Sequence, residues 1–171
     1  MKIFGFAGWS GSGKTTLVTG LIPELVARGV GVSTMKHAHH AFDIDKPGKD
    51  SYEHRAAGAT EVMVTSASRW ALMHEIRDDE EPSIEELAAR MKSVDLLLIE
   101  GFKSYPHDKI EVFRAAVGKP LICLEDDHIV AVASDAPVPQ ANVPVLDLND
   151  VAAIADFIVQ RTGLKPARGA A

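Results

Sequence analysis

Apolar residues follow two patterns along the chain: short continuous runs typical of buried strands, and spacings of three and four typical of amphipathic helices. The clearest buried-strand pattern is 94–101, where an unbroken apolar run leads into Glu100 and Gly101. Further strands are predicted at 2–7, 30–35, 110–114, 120–124, 129–134 and 143–147. Helices are predicted at 16–28, 52–57, 84–91 and 151–161. This alternation favours an α/β fold of three layers with a mostly parallel sheet.

Two local signals refine this outline. The strand-like runs 61–66 and 69–75 are separated by only two residues, which predicts a β-hairpin. Ser83, with Glu86 three positions later, predicts a capping box at the start of the helix 84–91.

Composition narrows the class of protein. The chain has 171 residues, 46% of them hydrophobic, and neither a repeat nor a linker divides it. Residues 1–161 are therefore predicted to form a single domain, followed by a disordered tail at 162–171. Net charge is −6, which argues against general nucleic-acid binding because that function needs a basic face. The single cysteine, Cys123, allows no intrachain disulfide. The apolar runs are too short for a membrane span or a signal peptide, so we expect a cytoplasmic protein.

The first predicted strand leads into a phosphate-binding motif. Residues 8–15 read G-W-S-G-S-G-K-T and match G-x-x-x-x-G-K-[ST], which turns the α/β prediction into a P-loop NTPase fold. Glycines let backbone N–H groups converge on a polyphosphate, and the following helix directs its positive end at the anion. Lys14 can reach the β- and γ-phosphates, and the Thr15 hydroxyl can ligate Mg²⁺. The candidate nucleotide-binding residues of this segment are Gly8, Ser10, Gly11, Ser12, Gly13, Lys14, Thr15 and Thr16.

Glu100 is the second candidate metal ligand. It ends the buried strand, and P-loop proteins hold Mg²⁺ with the help of an acidic residue at a strand end. A carboxylate would not be tolerated deep in a core without a partner, so this position favours a ligand over a packing role. Asp95 begins the same strand and is expected at the opposite end of the sheet.

The polar segment 37–50 follows the second predicted strand, at the edge where ligands bind in open α/β sheets. Asp45 to Gly48 fits the D-x-x-G pattern of GTPase switch loops. That pattern is too short to be evidence alone, but a polar loop beside the phosphates makes Asp43 or Asp45 a candidate for the Mg²⁺ shell and Lys49 a candidate for the γ-phosphate, with a solvated connector as the alternative. His37, His39 and His40 invite a transition-metal hypothesis, but a zinc site needs four ligands, so hydrogen-bonding roles are favoured.

The P-loop motif does not distinguish GTP from ATP as the bound nucleotide. The N-K-x-D tetrapeptide of common GTPases is absent, because neither Asn142 nor Asn149 is followed by lysine. The best substitute is Asp135, at the end of the predicted strand 129–134. Its carboxylate can accept hydrogen bonds from the N1–H and 2-amino groups of guanine.

Taken together, these segments resemble the MobB family, GTP-binding adaptors of molybdopterin guanine dinucleotide biosynthesis. The similarity spans roughly residues 2–160 and is weakest at 102–128. Its most particular part is K-H-A-H-H at 36–40 followed by D-I-D-K-P-G-K-D-S at 43–51. The other matching segments are 8–16, 69–73, 98–103 and 131–135.

The resemblance implies GTP and Mg²⁺ as cofactors, a homodimer, weak GTP hydrolysis, and association with the guanylyltransferase (MobA-type) that joins GMP to molybdopterin. Molybdopterin itself is a further candidate ligand. No residue stands out as a general base, which fits an accessory protein that is a weak GTPase at most. Two rival functions remain: a small-molecule kinase of P-loop type, and a metallochaperone GTPase that uses His37, His39 and His40.

Overall fold

The chain folds into strands and helices that alternate for most of its length. A computed structural model describes residues 1–38, 42–102 and 105–165. The strands are β1 (Lys2–Ala7), β2 (Val32–Lys36), β3 (Glu61–Thr65), β4 (Trp70–His74), β5 (Leu96–Glu100), β6 (Lys109–Phe113), β7 (Ile129–Ser134) and β8 (Val145–Asp147). The helices are α1 (Lys14–Ala27), α2 (Asp50–Ala56), α3 (Ile84–Ala89) and α4 (Val151–Thr162), and a 3₁₀ turn spans Ala115–Val117.

The chain divides into two compact units. The first contains Met1–His37 and the chain from Ser93 onward, and the second contains Ala38–Lys92. The prediction that residues 1–161 form one domain with a disordered tail at 162–171 stays a prediction, although α4 continues through Thr162. Among residues 1–38, 42–102 and 105–165, no helix is long and apolar enough to cross a membrane.

A six-stranded parallel sheet forms the centre of the first unit. Its strand order is β2-β5-β1-β6-β7-β8, so β1 lies in the interior between β5 and β6. This confirms the predicted α/β fold with a mostly parallel sheet. The carboxyl ends of all six strands share one edge, and the P-loop leaves the sheet there.

Alternation along β1 sends side chains to two different faces of this sheet. Phe4 and Phe6 are fully buried in a cluster with residues of α1 and α4, among them Leu21 and Ile154. Ala7 belongs to a second apolar cluster with Cys123, Ile129, Val132 and Val138. Both faces of β1 are therefore covered, as expected of a parallel sheet.

The second unit contains α2, α3 and an antiparallel hairpin. β3 pairs with β4 in the register Thr65 opposite Trp70, and the Ser66 N–H donates to the Arg69 carbonyl at 2.9 Å. This confirms the predicted hairpin. The predicted capping box is also confirmed, since the Ser83 hydroxyl accepts from the Glu86 N–H and the Glu86 carboxylate accepts from the Ser83 N–H.

The strand predicted at 120–124 is wrong. These residues form turns, and the Glu111 carboxylate organises them by accepting the N–H groups of Ile122 and Cys123 at 2.9 Å each. Cys123 is buried, as its apolar neighbours suggested, but it lies in a turn. Local hydrophobicity predicted burial correctly, whereas the backbone conformation depends on a carboxylate eleven positions earlier.

Candidate nucleotide-binding site

The P-loop connects β1 to α1, and three of its glycines, Gly8, Gly11 and Gly13, have positive φ values that disfavour side chains. Gly13 precedes α1 in the left-handed region, with φ 99°. Gly8 has φ 142°, and a Cβ atom there would lie 2.5 Å from the Val112 carbonyl oxygen. The loop can therefore follow this path only because these positions are glycine.

Lys14 is held against the loop itself. Its Nζ atom donates to the carbonyls of Gly8 and Trp9 at 2.9 and 3.0 Å. Ser12 is buried, whereas Ser10, Gly11, Thr15 and Thr16 are exposed at the start of the helix. The positive charge of Lys14 and the N-terminus of α1 thus lie in one segment, the arrangement that a polyphosphate requires.

Thr15 and Glu100 meet at the carboxyl edge of the sheet. The Thr15 hydroxyl lies 3.1 Å from Glu100 Oε1 and 3.2 Å from Oε2. Glu100 is placed there because β5 lies between β2 and β1, where Glu100 aligns with Phe6 on one side and with Lys36 on the other. Lys36 Nζ is 3.4 Å from Glu100 Oε1. The structure therefore brings together the two residues predicted to bind metal.

These two side chains suit a magnesium ion. Both offer oxygen donors, and Mg²⁺ prefers oxygen ligands. The hydrogen bond between Thr15 and Glu100 brings these oxygen donors together at one point of the sheet edge, where both residues could hold the same ion. Gly101 then lets the chain turn away at φ 100°, where a Cβ atom would lie 2.9 Å from His37 Cβ.

Asp135 lies just after β7, at the same edge of the sheet, and pairs with Arg114. Arg114 Nε also donates to the Ser12 carbonyl, with a separation of 3.2 Å. A depression of about 210 Å³ lies beside the P-loop and is lined by Gly13, Thr16, Leu17, Arg114, Leu148, Asn149 and Val151. A second depression of about 290 Å³ contains Asp135 and also reaches Asn149.

Arg114 was not among the residues predicted for the site. A usable signal was present, because Arg114 directly follows β6 and ligand-binding residues of parallel sheets lie beyond the carboxyl ends of strands. The prediction of β6 at 110–114 placed this arginine inside the strand. The observed strand ends at Phe113, which puts the guanidinium at the sheet edge.

The second unit contains Asp45 and Lys49. Asp45 Oδ1 pairs with Arg55 Nη2 at 2.8 Å, and only 5% of the Asp45 side chain is exposed. Asp43 pairs with the same arginine nitrogen at 2.7 Å. Lys49 is exposed at the N-cap of α2. The predicted contacts of Asp45 with the Mg²⁺ shell and of Lys49 with the γ-phosphate stay predictions.

The histidine hypothesis can be followed only at His37, because His39 and His40 lie outside the described residues. The His37 ring packs on Phe102 with centroids 4.5 Å apart, and its backbone N–H donates to the Glu100 carbonyl at 2.9 Å. Within the described ranges, no group of three or more histidine, cysteine, aspartate or glutamate side chains could hold a metal ion.

Comparison with known families gives a match over most of the chain. The family model described as Molybdopterin guanine dinucleotide synthesis protein B (MobB) matches residues 3–135. A protein of Escherichia coli K12 named Molybdopterin-guanine dinucleotide biosynthesis adapter protein is 50% identical over 163 residues, covering 94% of this chain and 93% of that protein. The protein of the same name in Haemophilus influenzae is 42% identical, covering 92% and 88% of the two chains.

Solved structures agree with these matches. A crystal structure of molybdopterin-guanine biosynthesis protein B (mobB) superposes with a TM-score of 0.74 at 27% identity and covers 93% of this chain and 99% of that one. Bacillus subtilis MobB superposes with a TM-score of 0.75 over 96% of this chain and 100% of that one, at 23% identity, which supports the fold alone.

Proposed function

Since this chain belongs to the MobB family of molybdopterin guanine dinucleotide synthesis proteins, we propose that it is a GTP-binding adapter in the biosynthesis of that dinucleotide. The names of the Escherichia coli and Haemophilus influenzae relatives support the adapter role. The observation that carries the nucleotide-binding part is the contact of Thr15 in the P-loop with Glu100 at the end of β5.

Each part of the site has a distinct role in this proposal. Backbone N–H groups of 8–16 and the ammonium of Lys14 bind the phosphates, because they supply donors and positive charge at a helix N-terminus. Thr15 and Glu100 would hold Mg²⁺, which would neutralise phosphate charge when bound. Asp135 accepts the N1–H and 2-amino groups of guanine. Asp45 and Lys49 complete the set as predicted contacts to the metal shell and the γ-phosphate.

The proposed role is accessory. Weak GTP hydrolysis is the most that we attribute to the chain, because the sequence nominates no general base for the attacking water. GTP binding would then prepare a surface for a partner, and hydrolysis would serve only to end that state. A cytoplasmic location, where the dinucleotide would be assembled, belongs to the same proposal.

The proposed partners are a second copy of the chain and a molybdopterin guanylyltransferase of the MobA type. The hairpin of the second unit offers a surface for protein contacts, since it exposes 59% of Met63 and 64% of Trp70. Exposed large apolar side chains on neighbouring strands are a common property of protein-binding surfaces. Direct contact between molybdopterin and this chain is a further part of the proposal.

A pull-down with GTP and Mg²⁺ tests the adapter role. The full-length chain is the bait, a cell extract supplies the partner, and mass spectrometry identifies what is captured. We expect recovery of a molybdopterin guanylyltransferase by the wild-type chain and reduced recovery by Lys14→Ala. If the wild-type chain is saturated with GTP and still fails to recover that enzyme, the adapter role is contradicted.

A further inference from the structure

We propose that Arg114 is a positioning residue that sets guanine selectivity by tying the Asp135 side chain to the phosphate-binding loop. This inference rests on the proposed GTP site and extends it to a residue that neither the P-loop motif nor the resemblance assigned. Arg114 would fix the position of the residue that binds the base relative to the loop that binds the phosphates.

The Arg114 guanidinium contacts both the P-loop and Asp135. Its Nε atom donates to the Ser12 carbonyl at 3.2 Å, and its Nη1 atom pairs with Asp135 Oδ2. A Cβ atom on Gly13 would lie 3.5 Å from Arg114 Nε, so the guanidinium packs directly on the loop backbone. One rigid, planar group therefore connects the P-loop to the residue that follows β7.

The surrounding surface places this connection between the two ends of a nucleotide. The depression lined by Arg114 also contains Gly13 and Thr16, where the P-loop enters α1. The depression lined by Asp135 lies beyond it, and Asn149 belongs to both. A nucleotide with its phosphates on the P-loop can extend its base along this surface toward Asp135, passing the guanidinium.

The Asp135 carboxylate keeps capacity for a ligand while it is paired. About a third of its side chain, 34%, is exposed, and a carboxylate offers about four acceptor positions, of which Arg114 occupies one. Guanine presents two adjacent N–H donors to such a group, whereas adenine presents a ring-nitrogen acceptor next to its amino group. A carboxylate held at one angle therefore discriminates between the two bases.

Without Arg114, the carboxylate would rotate freely and face water. Ordering it again on binding would reduce the advantage of guanine, because the cost of fixing a mobile side chain falls on the complex. Lysine cannot replace arginine fully, since a single ammonium lacks the planar fork that reaches both the Ser12 carbonyl and Asp135. The loss should be specific to the base, because Asp135 makes no proposed contact with the phosphates.

Calorimetric titration of the full-length chain with GTP, ATP and inorganic triphosphate tests this role. We expect Arg114→Gln to lower the ratio of the ATP to the GTP dissociation constant roughly tenfold, the size of effect of losing one charge-assisted hydrogen bond. Arg114→Lys should lower the ratio by an intermediate factor. In an Asp135→Asn background, adding Arg114→Gln should leave the ratio unchanged, because the carboxylate that it positions is already gone.

Arg161→Gln is the matched control. Arg161 pairs with Asp108 at 2.6 Å, and Asp108 precedes β6 whereas Arg114 follows it, so the control removes an arginine–aspartate pair at the opposite edge of the sheet. This variant should keep the wild-type ratio. Circular dichroism reports whether each variant is folded. If Arg114→Gln is not folded, Arg114→Lys replaces it, both alone and in the Asp135→Asn background.

Two results would overturn the inference: a wild-type ratio in Arg114→Gln or Arg114→Lys, or equal effects of Arg114→Gln with and without the Asp135 carboxylate. Failure of the proposed function can be distinguished from failure of this inference, because it would be seen in the wild-type chain alone. A wild-type chain that binds GTP and ATP equally would remove the guanine assignment before any variant is considered.

Discussion

The Thr15 hydroxyl donates to the Glu100 carboxylate across 85 positions of sequence, at 3.1 Å from Oε1 and 3.2 Å from Oε2. The contact joins the last residue of the phosphate-binding motif to the end of the adjacent strand β5. Because 14% of the Glu100 side chain is exposed, the carboxylate is largely removed from water, and it has Thr15 and Lys36 as polar neighbours. This is the geometry from which the proposed Mg²⁺ site follows.

Replacing Glu100 with glutamine should weaken the dependence of GTP binding on Mg²⁺. The amide lacks the negative charge that a hard divalent cation prefers, while its size preserves the packing of β5. We expect the gain in GTP affinity on adding Mg²⁺ to fall by roughly tenfold, the effect of about one lost charge-assisted contact. Titrations with and without Mg²⁺ measure this gain.

Glu24→Gln provides the comparison for that experiment. Glu24 pairs with Arg28 on the surface of α1, so this change also removes a carboxylate but leaves the site intact. An equal response to Mg²⁺ in Glu100→Gln and in the wild-type chain would contradict the assignment of Glu100 as a metal ligand.

Alanine at Gly8 should destabilise the fold. The backbone there has φ 142°, and the new Cβ atom would approach the Val112 carbonyl oxygen to 2.5 Å. We expect a loss of roughly 2 kcal/mol or more in the free energy of unfolding, from strain at positive φ together with the steric conflict. Urea denaturation of Gly8→Ala and of Gly118→Ala gives the contrast. Gly118 also has positive φ, at 66°, but a Cβ atom there meets nothing within 4 Å, so its loss should be smaller.

The position of the P-loop between a strand and a helix, and that of Glu100 at the end of a buried strand, could be predicted from the sequence because each depends on short-range information. The P-loop is one continuous motif, and Glu100 follows an apolar run whose end is visible without any structure. The apolar strands β1, β5 and β7 could be identified for the same reason. The six-residue connection between β1 and helix α1, residues 8–13, was likewise marked by glycines.

Charged residues inside the sheet could not be predicted in this way. β6 reads K-I-E-V-F, an alternation that suggests one face in water, yet Lys109 and Glu111 are fully buried. Their burial depends on partners beyond the strand: Asp126 for Lys109, and two backbone N–H groups in the turn at 122–123 for Glu111. Such partners are distant in sequence and have no local pattern. Arg114 was missed for a different reason, because the predicted end of β6 lay one residue too late and placed this arginine inside the strand.

Stability should fall as the pH decreases from about 6.5 to about 4, and His107 should contribute to that fall. Burial, together with the positive charge of Lys109, lowers the pKa of His107 from 6.5 to about 4. A backbone group of Tyr105, together with His128 and Asp126, also acts on this ring, and both of its nitrogens are buried. Within that pH window the unfolded chain binds a proton at this residue that the native chain does not bind, which favours unfolding.

Urea denaturation at pH 7 and pH 5 measures this contribution. His107→Gln should lose less stability between the two pH values than the wild-type chain does. His54→Gln, which changes an exposed histidine on α2, should follow the wild-type profile. The assignment to His107 fails if the two variants show the same pH dependence.

The buried ion pair of Lys109 with Asp126 should make single replacements more harmful than a double replacement. Lys109 Nζ lies 3.0 Å from Asp126 Oδ2, and the lysine side chain is fully buried. Asp126→Ala leaves a buried ammonium without this carboxylate and should cost about 3 kcal/mol of stability. Adding Lys109→Met removes the stranded charge and should recover part of the loss. A double-mutant cycle that shows simple additivity would argue against this coupling.

We propose that residues 8–16 bind the phosphates of GTP through Lys14, and titration of purified wild-type and Lys14→Ala chains with GTP and ATP measures this. We expect the wild-type chain to prefer GTP and Lys14→Ala to weaken GTP binding by about 100-fold or more, because the ammonium would make charge-assisted contacts with two phosphates. The circular dichroism spectrum of the variant should stay that of the wild-type chain. GTP affinity that survives Lys14→Ala, or a wild-type chain that binds ATP as tightly as GTP, would show that the phosphate site or the guanine preference is wrongly assigned.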